Sequence, residues 1–314
     1  MSFIKKSKQI IFIVGPTAVG KTAVALALAK KINGEIVSCD SMQVYKEASI
    51  ASNKPSSEDL KKISHHLINI ISVAEDFDVG NFQKKASAAI QAIHARGKIP
   101  IVVGGSGMYM SVLLDGIFKD GRKDLNLRKT LEIQAKQEGS ESLYQKLLKA
   151  DPDAAQKIHS NDAKRIIRAL EVFLLKSQPI SVLQKTRQGL WGKFDIKIFA
   201  LNRSREELYE LINRRVEEMF RRGLVEEIKR LLAMTLNQSA TQIIGIKEVK
   251  GFLDGQYDLE RAKYLLKLHT RHYAKRQLTW FRKDKRLQWM IVPSNETPRQ
   301  AAERILEEIG QIRG

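Results

Sequence analysis

The sequence predicts an α/β protein: a parallel sheet with helical crossovers, interrupted by an all-helical insertion. Three observations predict it. The β-branched run at 10–14 (IIFIV) enters the glycine turn GPTAVGKT (15–22) and then a helix rich in Ala and Leu. A helix with apolar spacing through Phe82, Ala86, Ile90 and Ile93 precedes a further apolar run at 99–103. Strand-like runs then vanish over 122–175, where long helical patterns take their place. Strand, helix and strand at this spacing argue for a parallel sheet whose strands are buried on both faces.

In chain order, the first strand at 10–14 is followed by a helix to about residue 31 and a second strand at 35–39, ending at Asp40. The helix at 77–96 stops at Gly97 and the third strand at 99–103 runs into GGSGMY (104–109). Residues 162–175 read as an amphipathic helix with basic residues at 164, 165 and 168. A strand returns at 195–201. Helical patterns follow at 204–232, interrupted by Gly223, and at 242–253 and 258–282. An edge strand at 287–292 and a terminal helix close the chain. The domain reading is a core of residues 1–119 and 191–314 with a helical insertion at 120–190. No internal repeat or low-complexity linker is present.

The chain has 314 residues, 43% of them hydrophobic and 28% charged, which excludes disordered and collagen-like classes. Lys and Arg number 54 against 35 Asp and Glu, a net charge of +19. That excess implies a polyanionic partner or a basic surface. The single cysteine, Cys39, excludes an intramolecular disulfide and a multi-cysteine metal site, and favours a reducing compartment. No stretch of 18 apolar residues occurs and the N-terminus lacks a signal-peptide pattern, so neither a membrane span nor export is expected.

GPTAVGKT matches G-x-x-x-x-G-K-[ST] between a predicted strand and a predicted helix, the context that makes the motif specific. Backbone N–H groups of Gly15, Thr17, Ala18, Val19 and Gly20, with Pro16 shaping the turn, form a loop around phosphate oxygens. The helix N-terminus adds partial positive charge, Lys21 a point charge, and Thr22 a hydroxyl able to ligate Mg²⁺. The motif specifies an oligophosphate without saying which. Ligands gather at the carboxyl ends of parallel strands, so Asp40 and GGSG should converge on the same site. Because the third strand ends in glycine and not in an aspartate, Asp40 is a metal ligand, a general base, or both; an aspartate after a strand also serves as a helix cap. Ser106 reads either as a site hydroxyl or as the cap of the helix carrying Tyr109. His65 and His66 are expected in structural hydrogen bonds, and Cys39 as a buried small residue.

Residues 261–286 contain ten Lys or Arg against one acid, Asp284, with Tyr264, Tyr273, Trp280 and Phe281 interleaved. Such a segment can lay phosphate contacts along a helix and offer stacking surfaces, although Trp280 itself reads as a core residue. Arg165 and Arg168, three apart, form a second basic patch with Lys164.

In order along the chain, GPTAVGKT (15–22), DSMQVY (40–45), KP (54–55), HHL (65–67), GGSGMY (104–109), NDAKRIIRALE (161–171), IIGIKE (243–248) and RHYAKRQLTWFR (271–282) resemble the tRNA dimethylallyltransferase family over nearly all of residues 9–286. The resemblance implies a P-loop kinase-like core with a helical insertion domain that contacts tRNA. It implies transfer of dimethylallyl from dimethylallyl diphosphate to N6 of adenosine 37, in tRNAs reading codons that begin with U, with Mg²⁺. It further implies a cytoplasmic enzyme, taken here as a monomer. By position, Asp40 matches the general base, with Lys21 and Ser106 as catalytic partners on the leaving group. Residues 15–22 match the diphosphate loop. Asp40, Ser41, Met42, Gln43, Ser106, Arg128, Lys164, Arg165, Ile166, Ile167 and Arg168 match tRNA-contacting positions, and Arg271, Lys275 and Arg276 extend that set. Ser106 stands where the family usually has threonine. IASNKP (50–55) replaces IGTAKP, Ser64 replaces a proline and Ile246 a tyrosine. Composition alone also allows an ATP-using small-molecule kinase, or a nucleic-acid-binding module with a regulatory phosphate loop.

Overall fold

The computed structural model describes residues 8–118 and 124–311; the expected start of the insertion at 120 lies outside them. Along the chain run β1 (Gln9–Val14), α1 (Lys21–Ile32), β2 (Gly34–Ser38), α2 (Ser57–Lys62), β3 (His65–His66), α3 (Val79–Ala95), β4 (Ile99–Gly104) and α4 (Gly107–Asp115). Next come α5 (Leu125–Glu138), α6 (Ser140–Ala150), α7 (Pro152–Ala155), α8 (Ala163–Lys176) and α9 (Ile180–Lys185). The chain ends with β5 (Asp195–Asn202), α10 (Arg205–Arg221), α11 (Leu224–Leu232), α12 (Ile246–Leu253), α13 (Leu259–Phe281), β6 (Gln288–Ile291) and α14 (Pro298–Gln311). It divides into two compact units, Met1–Leu113 with Trp191–Gly314, and Leu114–Leu190.

The first unit holds one sheet in the order β3-β2-β4-β1-β5-β6. Every pairing is parallel. All six residues of β1 are buried, as expected for a central strand covered on both faces. Ile11 and Ile13 of β1, with Ile101, Val103, Phe199 and Leu201 of the neighbouring strands, pack against Val24, Ala25 and Leu28 of α1 and Ala301, Ala302 and Ile305 of α14. From β1 the chain moves to β2 on one side, and β5 lies on the other. The switch point therefore falls at the carboxyl ends of β1 and β4, where an open parallel sheet forms its crevice.

The strands depart from the sequence reading mainly at β3. This two-residue strand pairs His65 and His66 with Ile36 and Val37, too short to leave a periodic signal. Helix starts follow side-chain chemistry. Asp78, Asp258 and Ser204 accept backbone N–H bonds in the first turns of α3, α13 and α10, and Ser204 with Glu207 forms a capping box. Helix α1 differs: Gly20 at its N-cap makes no side-chain cap and the first turn holds no acid.

The second unit is helical. Leu131 of α5, Leu143 and Leu147 of α6, Ile166 and Leu170 of α8 and Ile180 of α9 form its core. Helix α8 begins on the Asp162 cap. Among the described residues, no helix is long and apolar enough to cross a membrane.

Candidate active site

A cavity of about 580 Å³ opens in the first unit and is lined by the glycine loop, Asp40, Gly104, Gly105 and one face of α10. The loop 15–20 connects the buried end of β1 to the uncapped start of α1, so first-turn N–H groups lack an internal acceptor. Such a terminus is an anion site. Lys21 and Thr22 follow immediately and both line the cavity.

Asp40 sits two residues beyond β2. Its position is fixed by the Cys39 backbone, which donates to Val103 O at 2.7 Å while Cys39 O accepts from Ser106 N at 3.3 Å. One Asp40 carboxylate oxygen accepts from Met42 N at 2.8 Å, the turn-capping behaviour expected of an aspartate after a strand. The carboxylate also lines the cavity with Gln43. The Gln43 amide accepts from Ser38 Oγ at 2.9 Å.

The cations in the cavity are held at a cost. Lys21 donates to Gly15 O at 3.1 Å and Pro16 O at 2.7 Å. Desolvation lowers its pKa to about 8 although the Asp40 charge pulls the other way, and Arg215 lowers it further. Arg215 reaches across from α10 to donate to Thr17 Oγ1 at 2.7 Å. Its own pKa is brought down to about 10 by desolvation, against the raising effect of Asp40. Burial pushes the Tyr273 phenol up, and the Asp40 charge adds to this.

Gln277 joins the parts. It is 6% exposed, accepts from Thr17 N at 2.8 Å and donates to Gly105 O at 2.9 Å. Helix α13 thus ties the glycine loop to the end of β4. The glycine run is sized to this contact: a Cβ on Gly105 would fall 2.2 Å from Gln277 Nε2, and one on Gly107 would fall 2.1 Å from Trp280 Cδ1.

Of the residues expected at the site, the cavity brings together Thr17, Ala18, Gly20, Lys21, Thr22, Asp40 and Gln43. Gly15 and Pro16 contribute the carbonyls that hold Lys21. Val19 is buried in the core beneath the loop. Ser106 does not line the cavity; its hydroxyl accepts from Tyr109 N at 3.4 Å, the capping alternative. Ser41 and Met42 do not line it either and form the turn after Asp40. Cys39 is fully buried and its thiol pKa is pushed well above the ordinary range by desolvation, which keeps it inert. His65 Nδ1 donates to Ile63 O at 2.7 Å, and His66 Nε2 meets Glu35 at 2.8 Å.

The basic segments need correction. Trp280 is 44% exposed and not core; Phe281 takes the buried place. Arg271 is drawn back onto α10, donating to Asn213 Oδ1 at 2.7 Å with its guanidinium 5.1 Å from the Tyr209 ring. Lys263 and Lys267 pair with Glu217, so part of the cation run fastens α13 to α10. Lys275 and Arg276 remain exposed. In the insertion, the Ile166 and Ile167 side chains are buried in the core. Arg128 and Arg168 pair at 2.5 and 2.8 Å with Glu171, which is 0% exposed. Burial pushes the Glu171 carboxyl up, but these two partners outweigh it and hold it below its ordinary value. Lys164 and Arg165 are exposed.

Sequence reasoning missed Arg215 and Gln277 as site groups. Arg215 sits in a helix dense with charge, where only the 3–4-residue spacing of Leu211, Arg214, Arg215 and Glu218 marks a shared face. Gln277 lies within the RHYAKRQLTWFR stretch, and nothing in that stretch assigns it a role of its own.

The crevice and its contents define the class: a P-loop-like α/β protein that can hold an anionic group near a carboxylate. The comparisons specify it further. The chain belongs to the IPP transferase family, whose profile matches residues 43–284. A tRNA dimethylallyltransferase of Carboxydothermus hydrogenoformans is 46% identical over 306 residues, covering 97% of this chain and 98% of that one. The tRNA isopentenylpyrophosphate transferase of Bacillus halodurans has a similar crystal structure, at 38% identity and a TM-score of 0.68, with 98% and 99% coverage. A eukaryotic dimethylallyltransferase acting on tRNA matches at 32% identity and a TM-score of 0.78, covering 91% of this chain and 74% of its own.

Proposed function

We propose that this chain transfers the dimethylallyl group of dimethylallyl diphosphate to N6 of adenosine 37, in tRNAs that read codons beginning with U. Family membership makes it a dimethylallyl transferase acting on a tRNA adenosine. The observation that supports the residue assignment is the shared cavity, in which Lys21, Thr22 and Arg215 face the same space as Asp40.

The exocyclic amine of adenine is a weak nucleophile because its lone pair is delocalised into the ring. The N6 lone pair forms the new bond to C1 of the donor, the C1–O bond breaks, and its electron pair leaves with the diphosphate. The N6 proton passes to Asp40. Negative charge grows on the leaving group, so fixed donors there count most in the transition state: loop N–H groups, Lys21 and Arg215. Ser106 acts through the geometry of the 104–109 turn.

The donor chemistry fits Mg²⁺. Thr22 and Asp40 bring hard oxygens to the cavity, and Mg²⁺ bound chiefly through substrate phosphates needs few protein ligands. Thr22 would hold the ion, and it would neutralise charge on the diphosphate. For RNA, Lys275 and Arg276 of the core, and Lys164 and Arg165 of the insertion, supply exposed cations. An anticodon loop lets the target base leave its stack at low cost. The enzyme is read as a monomer acting on RNA in the cytoplasm.

The test is incubation with unmodified tRNA, Mg²⁺ and dimethylallyl diphosphate, followed by nucleoside mass analysis. A dimethylallyl mass gain confined to the adenosine beside the anticodon supports the reading. Unmodified RNA, with or without ATP consumption, rejects it.

A further inference from the structure

The cavity has a second wall, and one buried carboxylate is bonded to the loop that forms it. Ser52, Asn53 and Pro55 line the cavity from the loop after residue 48, and Ile36, Ile68, Val103 and Leu211 add apolar surface. This loop lacks regular pairing. Asn53 adopts a left-handed backbone at φ 48°, a conformation that asparagine tolerates better than most residues.

Glu227, in the first turn of α11, holds that loop. It is 3% exposed. One oxygen accepts from Ser49 N at 2.9 Å and Ile50 N at 2.8 Å, and the other from Ala51 N at 2.8 Å, with Ile50 N shared at 3.0 Å. Three successive N–H groups converging on one carboxylate form an anion nest filled from inside the protein. The α11 N-terminus adds a favourable field. Two further ties continue along the loop: Ser52 Oγ bonds Ala48 O, at 2.5 Å, and Gln43 Nε2 donates to Asn53 O at 3.4 Å. Gln43 also lines the cavity.

We infer that Glu227 is a positioning residue for the transfer reaction: by gathering the amides of 49–51 it sets the 52–55 wall against which the apolar tail of the prenyl donor rests. This inference rests on the proposed donor site. Glu227 touches neither substrate nor reacting atoms. The loop's order is supplied before the donor arrives, so binding does not have to order it. The diphosphate end is held separately, by the glycine loop, Lys21 and Arg215.

This division makes the prediction selective. In full-length Glu227→Gln, the amide has one acceptor oxygen and presents N–H groups to backbone donors. Calorimetry should show dimethylallyl diphosphate binding weakened about tenfold, and inorganic pyrophosphate by less than about twofold. KM for the donor should rise while kcat stays within about threefold and KM for tRNA is unchanged. Amide exchange should lose protection at 49–51 with the β1 and β4 amides unaffected. Should Glu227→Gln fail to fold, Asn53→Gly loosens the same wall from the other side and should show the same split between donor and pyrophosphate. Equal weakening of both probes, or unchanged donor binding with 49–51 deprotected, overturns the role of Glu227. Wild-type protein that binds neither probe overturns the donor site itself.

Discussion

Replacing Lys21 by Met should stabilise the free protein while abolishing tight diphosphate binding. The ammonium is held at a pKa of about 8 against an ordinary 10.5. Those roughly 2.5 units correspond to about 3 kcal/mol at 1.36 kcal/mol per unit, an upper bound because the side chain is only part-buried. Loss of the bonds to Gly15 O and Pro16 O returns about 1–2 kcal/mol, leaving a net gain of about 1–2 kcal/mol. The sign of the pH dependence follows from linkage. Below pH 8 both folded and unfolded states carry the proton and the fold bears the whole penalty. Between pH 8 and 10.5 the unfolded state binds more protons, so wild-type stability at this site rises with pH. Urea unfolding of both proteins at pH 7 and pH 10 measures it: the Met variant should lead at pH 7 and lose that lead at pH 10, where wild type regains about 2.5 kcal/mol. A variant less stable than wild type at pH 7, or a difference indifferent to pH, would refute the reasoning.

Asp40→Ala should lower single-turnover transfer about 10²- to 10⁴-fold, the range for a lost general base, with donor affinity nearly unchanged; parallel loss of donor binding would assign the carboxylate to the metal. Gln277→Leu leaves Thr17 N and Gly105 O without their partner and should cost about 1–3 kcal/mol in urea unfolding, while also weakening pyrophosphate binding; a variant neutral in both excludes the brace. Arg165→Ala should reduce the slope of log tRNA affinity against log salt by about 1 without altering thermal stability. Arg168→Ala should destabilise the insertion, because it strips a partner from buried Glu171; unchanged thermal unfolding would contradict that.

The sheet and the glycine loop were legible because a buried parallel strand leaves an unbroken β-branched run, as in IIFIV, and because a G-x-x-x-x-G-K-T turn between strand and helix has few structural alternatives. Helical periodicity also separated the insertion from the core. The rest depended on partners distant in sequence. That Arg128 joins Arg168 in neutralising Glu171 follows from packing, since 43 residues separate Arg128 from the acid. Trp280 carries an apolar ring in an amphipathic helix, and only the missing Cβ of Gly107 shows why it lies at the surface edge. Arg215 and Gln277 reach the glycine loop across 198 and 260 residues, a closeness no local pattern records. For Ser106 the sequence carries both readings; the structure forms the cap bond from Tyr109 N to the hydroxyl.

The central claim is that one cavity places the leaving diphosphate and the amine's proton acceptor on either side of the reacting carbon. Its most direct measurement is a crystal structure of the chain with an unreactive thio-analogue of dimethylallyl diphosphate and an anticodon stem-loop. The account predicts the diphosphate in the loop 15–22 and N6 of the extruded adenine within hydrogen-bond distance of the Asp40 carboxylate. A diphosphate seated elsewhere, or an adenine kept from Asp40, would contradict it.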